Sequence, residues 1–281
     1  CTKLVDVEDL YRPYKEKKKT KATEAIANGL EPLSKTIMEF SDIDIYKEAE
    51  KYLNEKVKTT EDALTGAKYI IAENVSDNAE YRKEIRRMTY RDGIVTSKLK
   101  KNAKDDSKTY EMYYDFEEPI EKIAGYRILA INRGEKEGIL QVKIEPDMQK
   151  IASYLARKII TRKNPNTTKA LFAAIEDSYK RLIAPSIERD IRNELTENAS
   201  TEAIKVFGKN LAQLLMQPPI AGQVVLGWDP AFRTGCKLAV VDATGKVLDT
   251  VVIYPTAPQN KVEEAKKVVK ALSAKLKIIS L

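Results

Sequence analysis

The sequence predicts a mainly helical region joined by long helices to a partial α/β domain at the C-terminal end. Three observations carry this. Apolar residues recur at helical spacing through most of residues 20–198. The run Pro218-Pro219-Ile220-Ala221-Gly222 then breaks the helical regime. Beyond it come three strand-like runs rich in β-branched residues, followed by one amphipathic helix.

The elements follow in order. Residues 20–28 read as a short helix closed by Gly29, and 31–40 as a second. Residues 43–57 carry Ile45, Ala49, Tyr52 and Leu53 at helical spacing, and 61–75 carry Leu64, Ala67, Ile70 and Ile71. A basic helix is expected over 78–91, ended by Asp92-Gly93. With the helix before it, it has helix-turn-helix proportions, and the strand-like 94–100 behind it is a candidate wing. The polar stretch 101–110 reads as a mobile loop, 119–124 as a restart of helix whose apolar stripe continues through 127–132, and 139–144 as a strand. Leu171, Ile175, Tyr179, Leu182, Ile187, Ile191 and Leu195 mark a long helical spine that Pro185 should kink or split. Such a spine implies an elongated shape. The expected regions are therefore 1–146, a spine over 147–217, and a domain over 222–281.

Within that last region, Asp229 follows an apolar strand at 224–228, and strands at 237–241 and 247–254 flank a turn containing Gly245. A helix over 262–276 opens with capping-box spacing at Asn260 and Glu263. A first-strand acid, a meander and then a helix is how ribonuclease-H-like domains begin. The chain stops at Leu281, where a fourth strand is expected to start.

Composition removes whole classes of chemistry. The chain has no histidine, which excludes His-assisted hydrolases and His-ligated metals. Any base must be Asp, Glu, Lys or Tyr. Cys1 and Cys236 are too few for a disulfide framework, which fits a reducing cytoplasm. No apolar run approaches a membrane span, so no membrane partner is expected. A chain starting with Cys1 rather than Met reads as a fragment or a processed product. The net charge of +7 tilts toward phosphate-bearing partners.

Arg82, Lys83, Arg86, Arg87 and Arg91, interleaved with Tyr81 and Tyr90, form the candidate nucleic-acid contact. The plainer account makes them the solvated face of a helix that packs through Ile85 and Met88. The run Lys15-Glu16-Lys17-Lys18-Lys19-Thr20-Lys21 divides in the same way, between a solvated loop and a nucleic-acid contact. Arg233, with Thr234, is a further phosphate candidate, unless it bonds within its own loop. Asp229 either belongs to a carboxylate metal site or caps its own turn. Two-metal cleavage needs several converging acids, and Asp229 alone is recognisable, so it reads as vestigial. No catalysis, metal or cofactor is expected.

Asp9-Leu10-Tyr11-Arg12-Pro13-Tyr14-Lys15 with Lys18-Lys19-Thr20, and Gly29-Leu30-Glu31-Pro32-Leu33, are long, specific motifs. So are Arg133-Gly134-Glu135-Lys136-Glu137-Gly138-Ile139-Leu140 and Gly227-Trp228-Asp229-Pro230-Ala231-Phe232-Arg233-Thr234-Gly235-Cys236-Lys237. In this order they resemble the Tex family of bacterial transcription accessory proteins over essentially the whole chain. Ala231 departs from the glycine that the family places after Pro230. The resemblance implies the later part of a helical region, a spine and the first half of a YqgF-type, ribonuclease-H-like domain. It also implies helix-hairpin-helix elements and an RNA-binding S1 module further along. The expected function is a nucleic-acid-binding transcription factor core without sequence preference, with RNA or DNA as partner and RNA polymerase as a further one. The alternatives are a metal-dependent nuclease using Asp229 and a protein-docking scaffold.

Overall fold

The computed structural model describes residues 4–162, 164–218, 220 and 222–276. It divides into two compact units, Cys1–Phe207 and Gly208–Leu281.

The first unit opens with α1 (Leu4–Tyr11), which passes into a tight turn at Arg12–Tyr14 containing Pro13. Helix α2 (Lys21–Ala27) starts at a reciprocal cap, in which Thr20 Oγ1 accepts from Thr23 N at 3.1 Å and Thr23 Oγ1 from Thr20 N at 2.8 Å. Gly29, at φ +86°, ends it. After α3 (Glu31–Met38) comes α4 (Ile45–Glu50), much shorter than its apolar spacing predicts. Asn54 explains this: its side-chain oxygen accepts from the amides of Lys56 at 2.9 Å and Val57 at 3.0 Å, and so offers the backbone a turn instead of a helix.

The long helix α5 (Thr60–Asp77) is capped by Thr59 and buries Ala63, Ala67, Ile70 and Ile71. One residue, Asn78, joins it to α6 (Ala79–Asp92) and caps the latter through Tyr81 N at 3.1 Å. That joint is shorter than the roughly three to four residues of a helix-turn-helix.

Strand β1 (Ile94–Leu99) is paired on both sides, by β2 (Asp115–Pro119) and β3 (Leu140–Glu145), in an antiparallel sheet of order β2-β1-β3. It is therefore the middle of a sheet and not a free wing. The stretch before β2 is organised by Asp105, whose carboxylate accepts from Thr109 N, Tyr110 N and the Tyr114 hydroxyl at 2.8–3.1 Å. Helix restarts later than expected, in α7 (Gly125–Lys136).

Helices α8 (Met148–Ile159) and α9 (Pro165–Asp177) lead into a π-helical segment, Ser178–Ile183, and then α10 (Ala184–Leu215). Pro185 does not split the spine. Proline lacks an amide proton and its ring crowds the carbonyl four residues back. The wider turn just ahead of it, in which Ala184 N–H donates to the Tyr179 carbonyl, accommodates that loss. Leu171, Ile175, Tyr179, Ile187, Ile191 and Leu195 join the same core as Leu33, Ile71, Ile85 and Leu140. From Ile151 to Ala199 the spine thus shares one hydrophobic interior with the elements before it, whereas 201–207 are exposed. The Glu188 carboxylate also accepts from Ile144 N of β3 at 3.0 Å, which ties α10 to the sheet.

The second unit is a meander, β4 (Val225–Asp229), β5 (Cys236–Val241) and β6 (Val247–Ile253), followed by α11 (Val262–Leu276). The order β4-β5-β6 is antiparallel throughout. Gly245, at φ +86°, turns the second hairpin. Alternation along β5 sends Cys236, Leu238 and Val240 to one face, where Leu226, Ile253, Ala265 and Leu272 close a small core. The expected fourth strand at 277–281 lies outside the described residues.

Candidate nucleic-acid interface

The arginines of α6 divide by helical position. Arg82, Ile85 and Thr89 fall on one stripe of the helix, and that stripe faces the core. Arg82 is 1% exposed. Its Nε donates to Asp9 of α1 and its Nη2 to Ser186 Oγ of α10 at 2.8 Å. Arg86, one turn on, donates to the other Asp9 oxygen at 2.6 Å and lies 3.4 Å from Asp190. Asp9 itself is 4% exposed. Burial pulls the Arg82 guanidinium below its ordinary pKa, against the opposing effect of the hydrogen bond it donates to Asp9. Arg82 and Arg86 are therefore structural cations that bind α1 and α10 to α6. They do not face a phosphate backbone, contrary to the expectation from sequence.

The outer arginines are exposed but locally paired. Arg87 donates twice to Glu84, at 2.6 and 2.9 Å, which holds that carboxyl below its usual range. Arg91 pairs with Asp92 at 2.6 Å, and Lys150 approaches the same carboxylate at 3.3 Å. These contacts hold the Asp92 carboxyl far below the ordinary value, with the Arg91 hydrogen bond as the main cause. Lys83 is exposed. Helix α6 thus offers phosphate one unspent lysine and two arginines shared with neighbouring acids.

Asp9 is what the charge pattern of α6 could not reveal, since the partners are 73 and 77 residues apart. Its position inside the first motif is the one signal the sequence held. That motif, with α5 and α10, also walls a cavity of about 680 Å³ whose lining includes Asp9, Arg12, Lys17, Asp77, Arg82 and Asp190.

In the second unit, Asp229 ends β4 opposite Lys237 of β5. Its carboxylate is 70% exposed and 3.8 Å from Lys237 Nζ. Among the described residues Asp229 makes no hydrogen bond within its own turn, whereas a different turn, 242–246, is capped by Asp242, which accepts from Thr244 N, Thr244 Oγ1 and Lys246 N at 2.7–3.0 Å. Asp249 pairs with Lys275 at 3.6 Å. Arg233 is exposed in the loop that follows β4. Among the described residues, no group of three or more carboxylate, cysteine or histidine side chains gathers in a way that would hold a metal ion.

Residues 42–207 match the model of the Tex central region, and residues 223–281 match that of the Tex protein YqgF-like domain. The chain belongs to the Tex family. It is 53% identical over 274 residues to the uncharacterized protein YdcI of Bacillus subtilis, covering 96% of this chain and 38% of that protein. It is 34% identical over 275 residues to the transcriptional accessory protein Tex of Neisseria gonorrhoeae, covering 96% of this chain and 36% of the relative. With the human S1 RNA-binding domain-containing protein 1 it shares 32% identity over 273 residues, covering 90% of this chain and 27% of that protein. The chain therefore spans well under half the length of these curated relatives. Among its described residues, no helix is long and apolar enough to cross a membrane.

Proposed function

We propose that this chain is the core of a Tex-type transcription accessory factor that holds RNA or DNA by its phosphate backbone, without sequence preference. The observation that carries the reading is its match, along nearly all its length, to relatives named for transcription accessory function and for an RNA-binding domain. The surplus of seven positive charges agrees with it. A reducing cytoplasm suits a chain with two cysteines, of which Cys236 is buried and unpaired. The test is a titration against single- and double-stranded RNA and DNA at two salt concentrations. Binding that is similar across sequences and weakens steeply with salt is expected. Absence of binding at low salt sinks the reading.

Catalysis is not part of this proposal. A lone, exposed carboxylate leaves a hard cation mostly hydrated and loosely held. Mg²⁺- or Mn²⁺-dependent strand cleavage that disappears in Asp229→Asn would replace it with the nuclease reading. A docking role toward RNA polymerase is the second reading, favoured by Ile204, Val206 and Phe207, which stand 59–69% exposed on α10. Co-purification with polymerase that survives Phe207→Ser counts against that surface.

A further inference from the structure

Three cations converge on one aromatic ring of α5. Lys21 Nζ lies 4.6 Å from the Tyr69 centroid, Lys68 Nζ 4.8 Å, and the Arg181 guanidinium carbon 5.1 Å. Lys21 also donates to the Tyr69 hydroxyl at 3.4 Å. The ring quadrupole attracts each cation, but like charges gathered around one ring repel one another. Arg181 is neutralised by Asp177 at 2.5 Å. Lys21 and Lys68 are not: among the described residues, Tyr69 is their only partner.

The basic run from Lys15 to Lys21 leads directly into this cluster, and it is fastened down. Lys17 turns inward to Asp77 and lies 3.6 Å from Glu73, while Thr20 Oγ1 is 3.4 Å from the same Glu73. Lys15, Lys18 and Lys19 remain exposed, with Lys19 held at φ +33°. One lysine therefore anchors the strap to α5, and among the described residues Lys15, Lys18 and Lys19 have no acidic partner. A fixed row of ammonium groups without carboxylate partners matches a polyanion whose charges repeat along a chain, which is the chemistry of a sugar–phosphate backbone.

We infer that the strap 15–21, together with Lys68, is the surface by which this chain grips a nucleic-acid backbone, in place of the α6 arginines. This rests on the nucleic-acid-binding reading and gives it a location. The phosphates sit against Lys21 and Lys68, with Lys18 and Lys19 extending the contact.

The test is fluorescence anisotropy of the 281-residue chain with labelled single-stranded RNA, single-stranded DNA and duplex DNA over a range of salt. For single strands, each lost phosphate contact lowers the slope of log K against log salt by about 0.7. The variant Lys21→Gln/Lys68→Gln should flatten that slope by about 1.4 and weaken binding about 25-fold at roughly 0.1 M salt. Lys18→Gln/Lys19→Gln, which alters no helix, should weaken binding in the same direction. Lys35→Gln/Lys205→Gln removes as much charge elsewhere and should leave affinity within about twofold. Thermal unfolding of each variant separates lost contacts from lost structure. An unchanged slope in both strap variants overturns the location, as does a loss found only in Arg87→Gln/Arg91→Gln. Equal affinity for polyglutamate overturns the ligand class. If the unaltered chain binds no nucleic acid at low salt, the parent reading fails instead.

Discussion

Replacing Asp9 with asparagine tests the architecture around α6 most directly. The substitution keeps the side-chain volume but removes the charge that Arg82 and Arg86 share. Arg82 is 1% exposed and retains Ser186 Oγ at 2.8 Å, while Asp190 stands 4.0 Å away. Arg86 keeps Asp190 at 3.4 Å, but the new amide group turns a donor toward one of the two guanidinium groups. Removing one partner of a buried ion pair costs about 3–5 kcal/mol, because the other charge stays desolvated and uncompensated. Asparagine preserves one acceptor, so about 3 kcal/mol is expected. Arg87→Gln, which breaks a solvent-screened pair whose arginine is 58% exposed, should cost far less. Urea unfolding followed by far-UV circular dichroism gives both numbers, with m held in common. A loss below about 1 kcal/mol for Asp9→Asn would mean that the buried pair is not what holds α1 and α10 to α6.

Ile85→Ala empties a fully buried site on the inner stripe of α6 and should cost about 2–5 kcal/mol in the same assay. The Asp105 carboxyl is held below its ordinary value, chiefly by the Tyr110 amide. Its stabilisation is thus present above the usual carboxylate pKa and lost as pH falls through the lowered one, so the exchange protection factors of amides in 105–114 should fall below about pH 3.8, ahead of those in the helices. Gly245→Ala should cost roughly 1 kcal/mol from its left-handed backbone alone. Gly235→Ala should cost clearly more, because φ is +81° there and the new Cβ would stand 2.5 Å from Tyr254 Cε1. Similar costs at the two glycines, measured by thermal unfolding of the second unit, would discount that contact.

Where local chemistry decides, the sequence was readable. The β-branched runs around Gly245 became β5 and β6, and the helix expected to close at Gly29 became α2. Strand β2 was not readable. Asp115-Phe116-Glu117-Glu118-Pro119 is acidic and of low β propensity, and it is a strand because β1 supplies its pairing partners. Asn54 shortened α4 by a side-chain bond that apolar spacing does not register. The inward turn of Arg82 was half visible, because the stripe set by Ile85 includes position 82. What spacing could not supply was a counter-charge on α1, 73 residues from Arg82, and another on α10, 104 residues from Arg86, which together make burial of this pair tolerable.

The π-helical segment at Ser178–Ile183 keeps length and phase as separate properties of the spine. An α-helix turns about 100° for each residue, so removing a single residue here would leave α10 just as helical but face it in another direction. Ile187, Ile191 and Leu195 would swing out of the interior. Glu188 would lose the Ile144 amide, and Arg192 would lose Asn132, which it now reaches at 3.0 Å. Any loss of helical signal would then follow from the lost packing and not from the helix backbone itself. These six residues act as a rotational setting, through which the face that α10 presents to α7 and β3 is chosen independently of how far the helix runs.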